Sequence, residues 1–210
     1  MNYVKYPRTL HLPWSGHIST DDKMLDSTDH FAGKQIIISE KLDGENTSLY
    51  SDKIHARSLD SRHHDSRNWV KKFHGGICSE IPYAYRLCGE NLYAKHSIFY
   101  DRLPSYFLLF SIWNDRNECL SWQETLDWAD LLGIKTVPVL YEGIWDEQAV
   151  KACWTGVSKY GPEQEGYVIR LADRFSYDDF GQSVGKYVRP DHITTDEHWM
   201  TSEIQPNLLG

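Results

Sequence analysis

Three consecutive isoleucines, Ile36-Ile37-Ile38, lead without a break into Ser39-Glu40-Lys41-Leu42-Asp43-Gly44. A short β-branched run of this kind predicts a strand whose side chains point alternately to its two faces. Lys41 and Asp43 then share one face and Glu40 takes the other. Residues 47–50 and 54–58 flank Ser51-Asp52-Lys53 and predict a hairpin that continues from this strand, with Arg57 on the neighbouring strand. Residues 85–91, the nearly continuous apolar run 106–113, residues 136–141, 165–171 and 185–189 predict further strands around a central sheet. Trp69, Val70 and Phe73 are at helical spacing, predicting a short helix over 66–73 that stops at Gly75-Gly76 with its basic side outward. Ser121-Trp122-Gln123-Glu124 has the form of a capping box, and the apolar positions after it run to Gly133, a clear helix. A last short helix is expected within 145–153.

The chain has 210 residues, enough to bury a sizeable core, and one domain spanning 1–210 is the expectation. Its formal net charge of -8 argues against a surface that traps phosphate everywhere, so nucleic-acid contact must be local. A basic stretch exists where Arg57, Arg62, Arg67, Lys71 and Lys72 outnumber Asp60 and Asp65, with His63, His64 and His74 interleaved. Its plainer alternative is a solvated helix face. Cys78, Cys88, Cys119 and Cys153 lie far apart without metal-site spacing and are expected to be reduced, mostly buried thiols. The first residues lack the apolar core of a signal peptide, and no run approaches the roughly 20 apolar residues of a membrane span. A cytoplasmic protein with no membrane partner is expected.

Lys41, set between carboxylates and followed three residues later by Gly44, has the surroundings of a nucleophile. Glycine there ends the strand and leaves room for a phosphate to approach the backbone. A lysine of ordinary pKa, about 10.4, is neutral in only about one molecule in 2,500 at pH 7. Attack by its amine needs that pKa to fall, and Asp43 alone acts in the opposite direction. A neighbouring divalent cation is therefore required. The alternative is an exposed lysine in a surface ion pair worth under about 1 kcal/mol.

In order along the chain, Lys41-Leu42-Asp43-Gly44, Arg57, Gly89-Glu90-Asn91, Phe110, Glu165-Gly166-Tyr167-Val168 and Lys186 before Tyr187-Val188-Arg189 resemble the motifs of covalent nucleotidyltransferases. Within that superfamily the chain is most similar to the ATP-dependent RNA ligases, relatives of DNA ligases and mRNA capping enzymes. The resemblance implies an α+β nucleotidyltransferase (ligase adenylation) domain, with central antiparallel sheets flanked by short helices. It implies that Lys41 attacks the α-phosphate of ATP and holds AMP through a phosphoramidate bond. It further implies that Glu165 and Glu90 hold Mg²⁺ or Mn²⁺, with Asp43 assisting, and that Glu90 also meets the ribose. Phe110 would stack on adenine, Glu40 would help recognise it, Arg57 would reach a phosphate, and Asn46 would serve sealing. Lys186 belongs to the last motif, which binds the nucleotide phosphate. The substrates implied are RNA 5′-phosphate and 3′-hydroxyl ends.

Two departures qualify the likeness. The last motif usually carries two lysines one residue apart, but Val188 stands at the second position, and Arg189 would point away from Lys186 along a strand. About twenty residues follow that motif, so no appended C-terminal OB-fold is expected, and an accessory protein is implied for substrate positioning. The N-terminal stretch from Tyr6 to Trp14, aromatic and basic, is a candidate cover for the site. Rival readings are a DNA ligase, a GTP-using capping-type enzyme, and a catalytically idle RNA-end-binding module.

Overall fold

The structure, a computed structural model, describes residues 2–16, 22–190 and 203–210. Its elements in chain order are β1 (Leu10–His11), β2 (Gln35–Lys41), β3 (Glu45–Leu49), β4 (Ile54–Ala56), α1 (Asn68–Ile77), β5 (Arg86–Asn91), β6 (Phe107–Trp113), β7 (Glu118–Cys119) and α2 (Trp122–Leu132). They continue with β8 (Val139–Ile144), α3 (Glu147–Ala152), β9 (Gly166–Leu171), β10 (Phe175–Ser176), α4 (Phe180–Ser183) and β11 (Val184–Val188). One sheet has the strand order β1-β11-β9-β2-β8 and the other β10-β7-β6-β5-β3-β4. Every pairing between these strands is antiparallel except β1 with β11. The α+β architecture expected from the sequence is thus present.

Each sheet buries one face under helices or loops and turns the other toward the cleft between them. On the first sheet, Ile36, Ile38, Tyr167, Ile169 and Tyr187 pack with Leu12, Phe31 and Val150. On the second, Leu49, Leu87, Phe107, Leu109 and Ile112 pack with Val70 of α1 and Ala129 of α2. Residues one position away therefore face the cleft: Ile37, Ser39 and Lys41 on β2, with Val168 and Lys186 in register beside Ser39. Burying apolar surface on both outer faces contributes the usual roughly 25 cal/mol per Å² and leaves the inner faces free to carry polar groups.

Local chemistry accounts for the element ends. The capping box at α2 is complete: the Ser121 hydroxyl accepts the Glu124 N–H, the Glu124 carboxylate accepts the Ser121 N–H at 3.0 Å, and Gly133 closes the helix at φ 64°. Asp146 caps α3 by accepting the Gln148 and Ala149 N–H groups. Two expectations are corrected. α1 runs through Gly75-Gly76 to Ile77, because Ile77 packs on the core beneath and the glycines sit on its open side. The strand expected over 136–141 starts later, at Val139, since Pro138 cannot donate to the ladder and uses its carbonyl to accept the Glu40 N–H instead, at 2.9 Å. All four cysteines are free thiols, with Cys88, Cys119 and Cys153 buried.

Candidate functional site

A cavity of about 440 Å³ opens between the inner faces of the two sheets, within the range of about 300–1,000 Å³ typical of small-molecule sites. Glu40, Lys41, Asn46, Arg57, Glu90, Phe110 and Lys186 all line it, and Glu165 reaches it through its contact with Lys41. Every site residue expected from the sequence is thus gathered at one place, six of the seven lining residues coming from five strands and Arg57 from just past the end of β4, not from within the strand as expected.

Strand register explains the central pair. Lys41 is paired with Gly166 across β2 and β9, so the residue before Gly166 comes beside it. The Lys41 amine donates to Glu165 Oε1 at 2.5 Å, and the Glu165 side chain is 4% exposed. Burial pulls the Lys41 pKa down, but the charges of Glu165, Glu90 and Asp43 outweigh it and leave the amine above its ordinary value. Lys41 is therefore a cation in the fold as it stands. This agrees with the requirement that something positive must enter before the amine becomes a nucleophile.

Glu90, across β3–β5 from Asn46, feels the reverse. Burial, opposed by Lys41 and reinforced by Glu165, Asp43 and Glu45, pushes its carboxyl up to about 8. A carboxyl whose ionisation its neighbours oppose is a group whose anion a cation would stabilise. Among the described residues no cluster of three or more His, Cys, Asp or Glu side chains is arranged to hold a metal ion. Two carboxylates, with water and substrate phosphates completing the shell, fit Mg²⁺, which dehydrates reluctantly and keeps several such ligands.

Asp43 has one of its two carboxylate oxygens engaged elsewhere and does not line the cavity. Its Oδ2 accepts the Ser97 N–H at 2.8 Å, the Ser97 hydroxyl at 2.5 Å and the Ile98 N–H at 3.0 Å. Burial pushes its pKa up, but these bonds and Lys41 hold it below the ordinary value. Asp43 fastens the loop that brings His96 to the cavity wall. Gly44 lines the cavity and has a second reason besides the one expected. A Cβ there would lie 2.7 Å from the Asn91 carbonyl oxygen and 2.8 Å from Leu92, so the end of β5 also approaches it closely.

Phe110 occupies a place that periodicity could not reveal. Cys88 pairs with Ser111 and Gly89 with Leu109, so Phe110 is the extra residue of a β-bulge, turned toward the cavity. Tyr6 meets it edge-on, with ring centroids 5.4 Å apart, and also contacts Trp113 and Phe180. With Pro7 and Thr9 it lines the cavity, so part of the N-terminal stretch does cover the site. Glu40 accepts the Lys159 N–H at 3.0 Å through Oε2, while its Oε1 is buried with no hydrogen-bond partner among the described residues. Asn46 Oδ1 and Arg57 Nε are in the same condition. Three buried polar atoms without partners around one cavity mark it as a binding site.

The basic stretch does not act as one surface. Arg67 is buried and forms a two-pronged pair with Glu45, its Nε 2.7 Å from Oε1 and a second nitrogen on Oε2. Lys71 and Lys72 are exposed, and Arg57 alone of the five turns into the cavity. Arg189 pairs with Glu163 at 2.7 Å and does not line the cavity, so it does not stand in for the missing second lysine. Sequence reasoning passed over His11, Asp22, His96 and Arg170. His96 and Arg170 line the cavity but sit outside the motif positions.

The RNA ligase family model matches residues 34–188, about three-quarters of the chain. The chain belongs to the RNA ligase family. Solved structures agree in fold. A Naegleria gruberi RNA ligase mutant without ligand superposes with TM-score 0.57 at 18% identity, covering 78% of this chain and 51% of that one. The same organism's RNA ligase with PPi gives TM-score 0.57 at 19% identity, covering 90% and 61%. A further mutant, with ATP and Mn, gives 0.55 at 19%, covering 77% and 52%. The chain thus spans about half the length of the solved ligases it matches. Curated protein sequences yield no match. No helix among the described residues is long and apolar enough to cross a membrane.

Proposed function

We propose that this RNA ligase family member is an ATP- and metal-dependent enzyme joining RNA 3′-hydroxyl and 5′-phosphate ends, with 1–210 acting as an adenylyltransferase domain in the cytoplasm. The observation that carries the reading is the Lys41 amine held in the cavity against buried Glu165, with Lys186, Arg57, Phe110 and Glu90 on the surrounding walls. The amine, once deprotonated, attacks the α-phosphorus of ATP; an N–P bond forms and pyrophosphate leaves. AMP then passes to an RNA 5′-phosphate, and a 3′-hydroxyl displaces AMP to seal the strand.

The chain's own residues supply most of what these steps need. Lys186 and Arg57 face the phosphates and offset charge that grows on their oxygens. Phe110 offers its ring to the base, and Asn46 and Glu90 present polar atoms to the sugar or the sealing step. Glu40 Oε1 is an acceptor without a donor, which the exocyclic amine of adenine supplies. Guanine in the same orientation would present its O6 oxygen to that carboxylate, so ATP is favoured over GTP. A divalent ion beside Glu165 and Glu90 would lower the lysine pKa and neutralise phosphate charge. Substrate positioning outside this cavity is assigned to an accessory protein.

The test is incubation with α-labelled ATP or GTP and Mg²⁺, with Lys41→Ala alongside, scoring label on denatured protein. Label from ATP that depends on Lys41 is expected, and an undiminished adduct in Lys41→Ala removes the proposal. Label from GTP would favour a capping-type enzyme, and preferential sealing of nicked DNA a DNA ligase. The lone Lys186, with Arg189 turned to Glu163, favours one other reading, a binding module that takes RNA ends without releasing pyrophosphate.

A further inference from the structure

Lys186 is held from behind by residues that belong to no motif. β1 runs parallel to β11 with His11 opposite Lys186. The residues from 22 onward pair in turn with β1: the His11 N–H donates to the Lys23 carbonyl at 2.8 Å, and the Leu25 N–H to the His11 carbonyl at 2.7 Å. These pairings bring Asp22 to the lysine, with Oδ1 3.3 Å from Lys186 Nζ and Oδ2 3.3 Å from His11 Nε2. His11 is 1% exposed, and its Nδ1 lies 2.7 Å from the Ser15 hydroxyl, which accepts the Val188 N–H of β11 at 3.0 Å. Lys186 and Ser15, at the two ends of the series Lys186–Asp22–His11–Ser15, are both tied to β11, while His11 packs against Asp22 in a 3.3 Å contact that is not a hydrogen bond. Lys186 lines the cavity, whereas Asp22 and His11 do not.

The groups that act on Lys186 are Asp22 and His11 from the N-terminal side, Lys41 from β2 and Glu165 from the residue before β9. Lys41 repels it. A lysine has a flexible four-carbon stem, so without an anchor its amine would spread over several rotamers away from that repulsion. We propose that Asp22, braced by His11, is a positioning residue that holds the Lys186 amine where the α-phosphate of ATP meets Lys41. The inference rests on the function proposed above.

Asp22 does not itself line the nucleotide cavity and reaches it through Lys186, so its effect should fall on the reacting complex more than on binding. Asp22→Asn is expected to slow Lys41-AMP formation at saturating ATP about tenfold, with KM changed by less than about threefold. Asp22→Glu, which keeps the charge, is expected to retain most of the rate. In a Lys186→Met background the Asn substitution should add no further loss, because the residue it positions is gone. Thermal midpoints report folding, and if Asp22→Asn does not fold, His11→Phe, which keeps the Asp22 charge and the ring's volume but offers Asp22 no N–H, is expected to lose about threefold. A wild-type rate in a folded Asp22→Asn, an unaltered rate in a folded His11→Phe, or the same tenfold loss on top of Lys186→Met would overturn the inference alone. A wild-type protein that forms no Lys41-AMP would overturn the proposed function and this inference with it.

Discussion

Glu90→Gln isolates the cost of crowding buried carboxylates around the cavity. Glu90 is raised from an ordinary 4.5 to about 8, chiefly by burial, with Glu165, Asp43 and Glu45 adding to it against Lys41. Between those pH values the unfolded chain has released this proton while the folded protein keeps it. The folded state therefore binds more protons, and stability falls as pH rises through the window. The contribution is complete below about 4.5 and gone above about 8. At about 1.4 kcal/mol per tenfold change in proton affinity, the gap corresponds to at most about 5 kcal/mol. Water reaching the open cavity screens the charges, leaving about 2 kcal/mol. Urea unfolding at pH 4.5, 6.5 and 8.5 measures it. Wild type and Glu90→Gln should be close in stability at pH 4.5, and the variant should be the more stable by about 2 kcal/mol at pH 8.5. Mg²⁺ at pH 8.5 should restore part of that loss in wild type and less in the variant. Parallel pH curves for the two proteins would refute the argument, because Glu90 would then ionise as freely in the fold as in the unfolded chain.

Two further outcomes follow from the packing. Phe110→Ala should raise the KM for ATP in the labelling assay, since a lost base stack costs about 1–3 kcal/mol, and an unchanged KM would place the base elsewhere. Arg67→Met leaves Glu45 buried without its partner and should cost about 3–5 kcal/mol in urea unfolding, whereas Arg67→Met with Glu45→Leu should recover much of it. A single variant as stable as wild type would show that the pair is solvated in solution.

The candidate site residues were legible because their order along the chain resembles the motifs of covalent nucleotidyltransferases, carried on short strands that the apolar pattern locates. Lys41 follows three isoleucines, Glu165 precedes an apolar strand, and Lys186 lies within one. Where the reading failed, a long-range contact had overridden a local preference. Gly75-Gly76 did not stop α1 because Ile77 had a core to join. Arg67 read as part of a basic surface, but a carboxylate 22 residues earlier in the chain buried it. Asp43 read only as assisting at a metal, and three donors from residues 97–98 give its Oδ2 a structural task that the sequence did not show.

By itself the sequence determined which strands and helices form and which residue types carry the chemistry, because alternation, caps and β-branched runs act over a few neighbouring residues. Tertiary structure decided where those groups point and what charge they hold. The β6 bulge turns Phe110 into the cavity, the β2–β9 register sets Glu165 against Lys41, and the β1–β11 pairing carries His11 and Asp22 to Lys186. Register and burial depend on partners more than a hundred residues away, and the Coulomb energy of a buried pair depends on their separation in space and not along the chain.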